Sequence, residues 1–305
     1  MKIIEYINSD YLNITNIIQL QKYCDYINNN KNIIKFNNNC DYLKTINNTI
    51  SIIYSEDLIE TQNINDIFLQ LNNKIIILYN VDIDFPNPIK PYSYDKYFHE
   101  YILPENNDKI DYYDKINKDI INIIEKNNLH VFTYSASINN KNITYVPLGI
   151  FHQFNHFHLK TINKNILCYL NISIPCDRWF GNPRKKIIDY LQNKSFIYKQ
   201  NNLSFDNFYS DIGRSKFAIC PRGCGIDTYR LWDCIALGCI PIIEKYDSHN
   251  QWDDLPILFM DRIEDFDNIN EDFLNKKYEE FLQKDFNYDK CKIDYWINKL
   301  EQFVI

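Results

Sequence analysis

Apolar residues fall along this chain in two alternating rhythms. NIIKF (32–36), ISIIY (50–54), KIIILYN (74–80), HVFTYS (130–135) and ITYVPL (143–148) are short apolar runs rich in β-branched and aromatic residues, which predicts strands. Between them, NINDIFLQLNN (63–73) and YYDKINKDIINIIEKNN (112–128) space their apolar positions three and four apart, which predicts helices. The second half repeats the alternation more clearly. Strands are expected at NILCYLNIS (165–173), SFIYK (195–199), KFAIC (216–220), CIPIIE (239–244) and PILFM (256–260). Helices are expected at PRKKIIDYLQN (183–193), SFDNFYSDIG (204–213) and IDTYRLWDCIALG (226–238). Strands and helices that alternate at this spacing build α/β units with parallel strands.

The polar, aromatic stretch GIFHQFNHFHLKTINKN (149–165) has no clear period and reads as a crossing between two domains, 1–150 and 151–285. The last segment, 286–305, ends in a helix that carries Trp296, Ile297, Leu300 and Val304 on one stripe. That stripe must pack on something, and a return to the first domain is one solution.

Charge and cysteine narrow the class. A net charge of −7 argues against a general nucleic-acid binder. Nine cysteines, an odd number spread over 305 residues, do not make a small secreted disulfide framework. Glu5, Asn8 and Asp10 interrupt the N-terminal apolar run, so no signal peptide is visible. No apolar run reaches the ~18 residues of a spanning helix. Matches such as Asn142-Ile143-Thr144 to the glycosylation pattern arise by chance in an Asn-rich chain. The expectation is a soluble, cytoplasmic protein without a membrane span.

One stretch escapes the Asn, Ile and Lys bias. KFAICPRGCGIDTYRLWDCIALGCIPIIE (216–244) holds half of the six glycines and four of the nine cysteines. Lys is the default cation, and no Arg precedes Arg178; Arg178, Arg184, Arg214, Arg222 and Arg230 then follow within 53 residues. A guanidinium grips phosphate bidentately, which an ammonium does not. The strand before Pro221 leads into Gly223 and Gly225, which permit close backbone approach. Asp227 or Thr228 can cap the next helix, whose free amides form an anion site at the C-terminal sheet edge. Arg222 and Arg230 can there clasp a diphosphate, with Arg178 or Arg184 assisting. Asp233, on the same helical face as Arg230, either pairs with it, orients it or accepts ligand hydroxyls. The stretch lacks the third glycine of a dinucleotide fingerprint and the Gly-Lys-Ser/Thr of a P-loop.

Phe217, Pro221-Arg222-Gly223, Tyr229-Arg230, Asp233 and Gly238-Cys239-Ile240-Pro241-Ile242-Ile243 together resemble the donor-domain motif of the exostosin-like glycosyltransferases. That motif runs Phe-x-Leu-Cys-Pro-x-Gly, aromatic-Arg-x-x-Glu, then Gly-x-x-Pro-Val. The resemblance covers the second half well and the first half loosely. It implies a GT-B fold, two Rossmann-like domains facing across a cleft, with the acceptor side in 1–150 and the nucleotide sugar held by 151–285. It also implies that Arg222 and Arg230 meet the donor diphosphate and that Asp233 lies near the nucleotide or sugar. Here Asp233 stands where the family has Glu, one methylene shorter. Expected partners are a nucleotide-sugar donor, a UDP-sugar favoured, and a glycan or protein-linked sugar acceptor.

A mechanism follows from such a site. The arginines and the helix start stabilise the departing diphosphate, so no metal or cofactor is required. An acid on the first domain removes the acceptor proton in an inverting displacement; the candidate is Asp82, with Asp84 as reserve. Rival readings remain. Asp82-Ile83-Asp84 also fits the D-x-D of metal-dependent transferases. A fucosyltransferase-like enzyme, a nucleotide-sugar epimerase or a non-catalytic binding module would share much of the pattern. Cys220, Cys224, Cys234 and Cys239 lack zinc-knuckle spacing, and His152, His156 and His158 read as a surface junction. Trp179, Trp232 and Trp252 flank the proposed site as candidate sugar-stacking rings.

Overall fold

The computed structural model describes residues 32–35, 42–46, 50–54, 75–79, 93–95, 100–102 and 118–302, apart from 135, 137, 151–162, 175–182 and 224. Contacts divide the chain into two compact units: Leu148–Lys292 fall in one, and Thr15–Pro147 with Ile293–Ile305 in the other.

The unit with Thr15–Pro147 contains a six-stranded sheet: β1 (Asn32–Lys35), β2 (Tyr42–Ile46), β3 (Ile50–Tyr54), β4 (Ile75–Tyr79), β7 (His130–Thr133) and β8 (Ile143–Tyr145), in that order. β5 (Ser93–Asp95) and β6 (Glu100–Ile102) pair separately. From β3 onward the neighbours are parallel, as the alternation predicts. The first two pairings are antiparallel, which corrects the all-parallel expectation. The reason is length: three residues separate β2 from β3, and a parallel crossover needs a dozen or more. β7 is buried throughout, and α1 (118–126) precedes it. His130 Nε2 lies 2.7 Å from Thr144 Oγ1, and burial, with Lys299 adding to it, pushes the imidazole down to about 4. The C-terminal helix Ile293–Glu301 belongs to this unit, and its Trp296 and Leu300 are buried.

The other unit is built on a five-stranded sheet, all parallel, of order β10-β9-β11-β12-β13. Its strands are β9 (Ile166–Leu170), β10 (Ile197–Lys199), β11 (Ser215–Ile219), β12 (Ile240–Glu244) and β13 (Leu258–Met260). The helices are α2 (Pro183–Leu191), α3 (Phe205–Arg214), α4 (Tyr229–Ala236) and α5 (Glu271–Gln283), and Ile293–Glu301 is α6. Alternate residues of the strands face opposite sides. Cys168, Leu170, Phe217, Ile219, Ile240 and Ile242 pack with Ile187 and Leu191 of α2 and Leu274 and Tyr278 of α5. On the other side Tyr169 meets Phe208 of α3, with ring centroids 6.3 Å apart. Mixed α/β architecture with a parallel sheet is thus what the alternation implied.

Local chemistry sets the helix ends. Ser204 caps α3 by accepting from the Asn207 amide, and Asn270 caps α5 by accepting from Phe273. α4 ends in a Schellman turn: Cys239 N–H donates to Cys234 O and Gly238 N–H to Ile235 O. Gly238 takes φ 64°, so this glycine supplies the left-handed residue. No helix of the described residues is long and apolar enough to cross a membrane.

Candidate functional site

From β9 the chain steps one way to β10 and the other way to β11. In an open parallel sheet this reversal opens a crevice beyond the C-terminal strand ends. The residues that follow β9 and β11 border it, and both stretches carry residues singled out above.

Arg184, at the start of α2, is the brace of this edge. It is 8 % exposed; its Nε donates to Arg222 O at 2.8 Å and its Nη1 to Ser173 O at 2.9 Å. One guanidinium therefore ties the segment after β9 to the loop after β11. Two of its donors go to protein carbonyls on either side, so Arg184 braces the crevice from within. Gly223 is explained by the same contact: a Cβ there would stand 3.2 Å from Arg184 Nη2 and 3.6 Å from Thr228 Cγ2. The Gly223 amide donates to Gly225 O at 3.0 Å, which closes the turn.

Arg222 and Arg230 lean to opposite flanks of that loop. Arg222 reaches the β12 side, where its Nη1 donates to Tyr246 Oη at 3.2 Å and its guanidinium lies 5.2 Å from the Tyr246 ring centroid. Tyr246 Oη in turn donates to Glu244 Oε2 at 2.7 Å. Arg230 reaches the β9 side and lies 5.3 Å over the half-buried ring of Phe208. No carboxylate among the described residues pairs with Arg230, and the i,i+3 pair with Asp233 is not formed. Asp233 is 2 % exposed and faces the interior of the unit.

Of the two residues expected at the start of α4, Asp227 is the one whose side chain bonds there. Thr228 is the N-cap residue, yet its side chain makes no capping bond. Asp227 acts instead: Oδ1 accepts from the Thr228 amide at 2.7 Å, Oδ2 from the Leu148 amide at 2.7 Å, and Trp232 Nε1 donates to both oxygens. Burial pushes this carboxyl up to about 7, against the pull of those three donors. Asp227 thus fixes the residue before the first turn of α4, and the arginines add the cationic groups beside that turn.

Two further expectations are corrected. Trp232 and Trp252 are 2 % and 0 % exposed and meet edge to face at 4.9 Å, so neither offers a face to a sugar. Among the described residues, half-buried rings at this edge include Phe208, Tyr198 and Tyr246, with Phe205 53 % exposed. Residues that the sequence reading passed over also matter here: Tyr246, Glu244 and Phe208. Glu244 ends an apolar strand two positions before Tyr246, a polar break visible in the sequence, whereas Phe208 is one ring among many. Arg178, Trp179, Asp82, Asp84, Cys224, His152, His156 and His158 lie outside the described residues.

Electrostatics sharpen the picture. Burial pushes Glu244 up, while the Tyr246 hydroxyl and Arg222 pull it down. His249 accepts the Tyr246 amide at Nδ1; burial above all, then Lys245 and Arg222, lower it to about 3, so its ring is neutral. Cys220 and Cys234 sulfurs lie 3.6 Å apart in the core, and burial raises Cys234 and Cys239 well above an ordinary thiol. Among the described residues no three His, Cys, Asp or Glu side chains converge as a metal-ligand set.

An α/β unit with a parallel sheet and an arginine-bearing crevice at its switch point is the class that fold and site define. Residues 183–259, which hold Arg184, Arg222, Arg230, Glu244 and Tyr246, match the family model of the RXYLT1 C-terminal domain, an exostosin-like xylosyltransferase family. The stretch whose motif resembles exostosin-like glycosyltransferases lies inside this match. No curated protein matches the chain. Among solved structures the chain is similar to one described as "Crystal structure of GtfA/B complex", with a TM-score of 0.29 and 10% identity. That likeness covers 86% of this chain and 59% of the other, and is too distant to argue from.

Proposed function

We propose that this protein transfers a sugar from a nucleotide-sugar donor, a UDP-sugar in the first instance, to a hydroxyl of a glycan or other acceptor. The observation that carries the reading is Arg230: half-exposed, stacked on Phe208, paired with no carboxylate among the described residues, and beside the start of α4 at the switch point. A cation next to the positive end of a helix is unfavourable by itself. An anion arriving there relieves that repulsion, and a diphosphate supplies two negative groups for the two arginines. Arg222, steadied by Tyr246, takes the β12 side of the diphosphate, and Arg230 takes the β9 side. Both stabilise the leaving group as the glycosidic bond to the donor breaks.

In this reading the enzyme has the two-domain GT-B arrangement, inverts the anomeric centre and needs no metal. Asp82, with Asp84 in reserve, takes the acceptor proton. The decisive measurement is a thermal-shift and product assay with UDP-, GDP- and CMP-sugars, each with and without Mn²⁺. The reading expects stabilisation by one donor series, a new glycosidic linkage, and both preserved in EDTA. Asp82→Asn should remove transfer and leave nucleotide binding intact; unchanged turnover excludes it as the base. Hydrolysis or epimerisation without transfer would overturn the transferase assignment.

A further inference from the structure

Glu244 is the carboxylate at the crevice that neither the motif nor the proposed diphosphate contacts use. It ends β12, next to the strand whose loop carries Arg222. Its Oε2 accepts a hydrogen bond from the Tyr246 hydroxyl, the same hydroxyl that accepts from Arg222. Among the described residues no donor is set against Oε1, and the side chain is half-buried, so this oxygen is an acceptor held at a fixed place. The chain Arg222–Tyr246–Glu244 therefore presents a phosphate-binding cation and a hydroxyl-accepting oxygen side by side.

Asp233 is poorly placed for that second role. It is 2 % exposed, lies within α4 and is one methylene shorter than Glu. A carboxylate with one oxygen anchored and one open suits a hydroxyl, since an O–H donated to a carboxylate is stronger than one donated to a neutral acceptor. Groups that carry both a phosphate and a nearby hydroxyl are the two sugars of a nucleotide sugar: the ribose and the transferred sugar.

Resting on the donor-site reading above, we propose that Glu244 is a specificity-determining residue that accepts a hydroxyl of the sugar attached to the phosphate bound by Arg222, with Tyr246 as its positioning residue. Binding by such a site discriminates against a ligand that lacks the hydroxyl, because the acceptor is left without a partner. Burial, with Glu264 adding to it, raises Glu244 against the pull of Tyr246, Arg222 and Lys186, so the preference should weaken as pH falls and the carboxylate is neutralised.

The test is calorimetric titration of the full chain, wild type, Glu244→Ala, Glu244→Gln and Tyr246→Phe, with UDP, 2′-deoxy-UDP, 3′-deoxy-UDP and UDP-glucose. If the ribose is read, wild type binds UDP about 10-fold more tightly than one deoxy analogue. Glu244→Ala then binds both alike, and Glu244→Gln retains a reduced preference. If the transferred sugar is read, the deoxy ratios do not change, and the ratio of UDP-glucose to UDP affinity falls about 10-fold in Glu244→Ala. Tyr246→Phe should diminish whichever preference wild type shows, without abolishing UDP binding. Variants that bind UDP with both ratios unaltered overturn this role for Glu244 alone. A wild-type protein that binds none of the four overturns the UDP-sugar form of the donor-site reading and the role of Glu244 toward such a ligand with it.

Discussion

The two edges of the five-stranded sheet use similar residue types for opposite ends. At the N-terminal edge, Lys164 is half-buried and donates its ammonium to Leu237 O just beyond α4, where a helix welcomes a cation. Beside it lie the thiols of Cys234 and Cys239 and a shallow, largely apolar depression lined by Ile240, Pro256, Phe281 and Phe286. At the C-terminal edge the arginines gather near the start of the same helix, where its dipole opposes them. Arg230 is held there by a ring and by no carboxylate among the described residues. One edge is internally satisfied, and the other keeps charge available. The contrast separates the part of the unit that makes stability from the part that makes a site.

The sharpest way to break that contrast is Arg184→Ala. Removing the brace leaves Ser173 O and Arg222 O without their buried donor, and should cost roughly 3 kcal/mol of stability in a denaturant titration. UDP binding should fall with it, because the loop that carries Arg222 is released. Arg230→Ala should do the reverse: UDP affinity falls about 100-fold by calorimetry while the melting temperature holds, since no buried bond is lost. A melting temperature that drops as far as in Arg184→Ala would make Arg230 structural and erase the distinction.

Asp227 gives a pH signature. Its carboxyl holds a proton up to about 7 in the folded chain, whereas the unfolded chain releases it near 3.8. The folded state then binds more protons than the unfolded one across that interval. Its contribution is therefore full below about pH 4 and is lost as pH rises toward 7, by up to about 1.4 kcal/mol per pH unit. Stability curves of wild type and Asp227→Asn between pH 4 and 8 should differ by that slope and run parallel above it. At the quiet edge, Cys239→Ala should cost only about 1 kcal/mol and leave UDP affinity unchanged; a loss of affinity would extend the site across the sheet.

Much of this unit was legible along the chain. Buried parallel strands read as continuous apolar runs, so CIPIIE and KFAIC stood out, and Arg222 and Arg230 were conspicuous in a Lys-rich background. YLKTI (β2) was not, because Lys44 and Thr45 dilute its apolar signal; pairing with β1 and β3 makes it a strand. α5 has Asn270 as cap and Leu274, Tyr278 and Phe281 at helical spacing, a pattern as readable as that of α2, although it lies beyond the motif region.

Side-chain direction was the part that remained hidden. Trp232 and Trp252 stand near the site in sequence and turn into the core in space, because α4 buries the face that carries Trp232. Arg184 and Arg222 are 38 positions apart and meet because the sheet order brings the ends of β9 and β11 together.

Alone, the amino-acid order determined the α/β rhythm of this protein and the residue types crowded into 216–244, since both depend on local spacing and chemistry. Tertiary structure alone decided which arginine is spent on carbonyls, which stays available, and which acid stands beside them. Those outcomes depend on strand order and on the burial of each face, and no window of neighbouring residues encodes either.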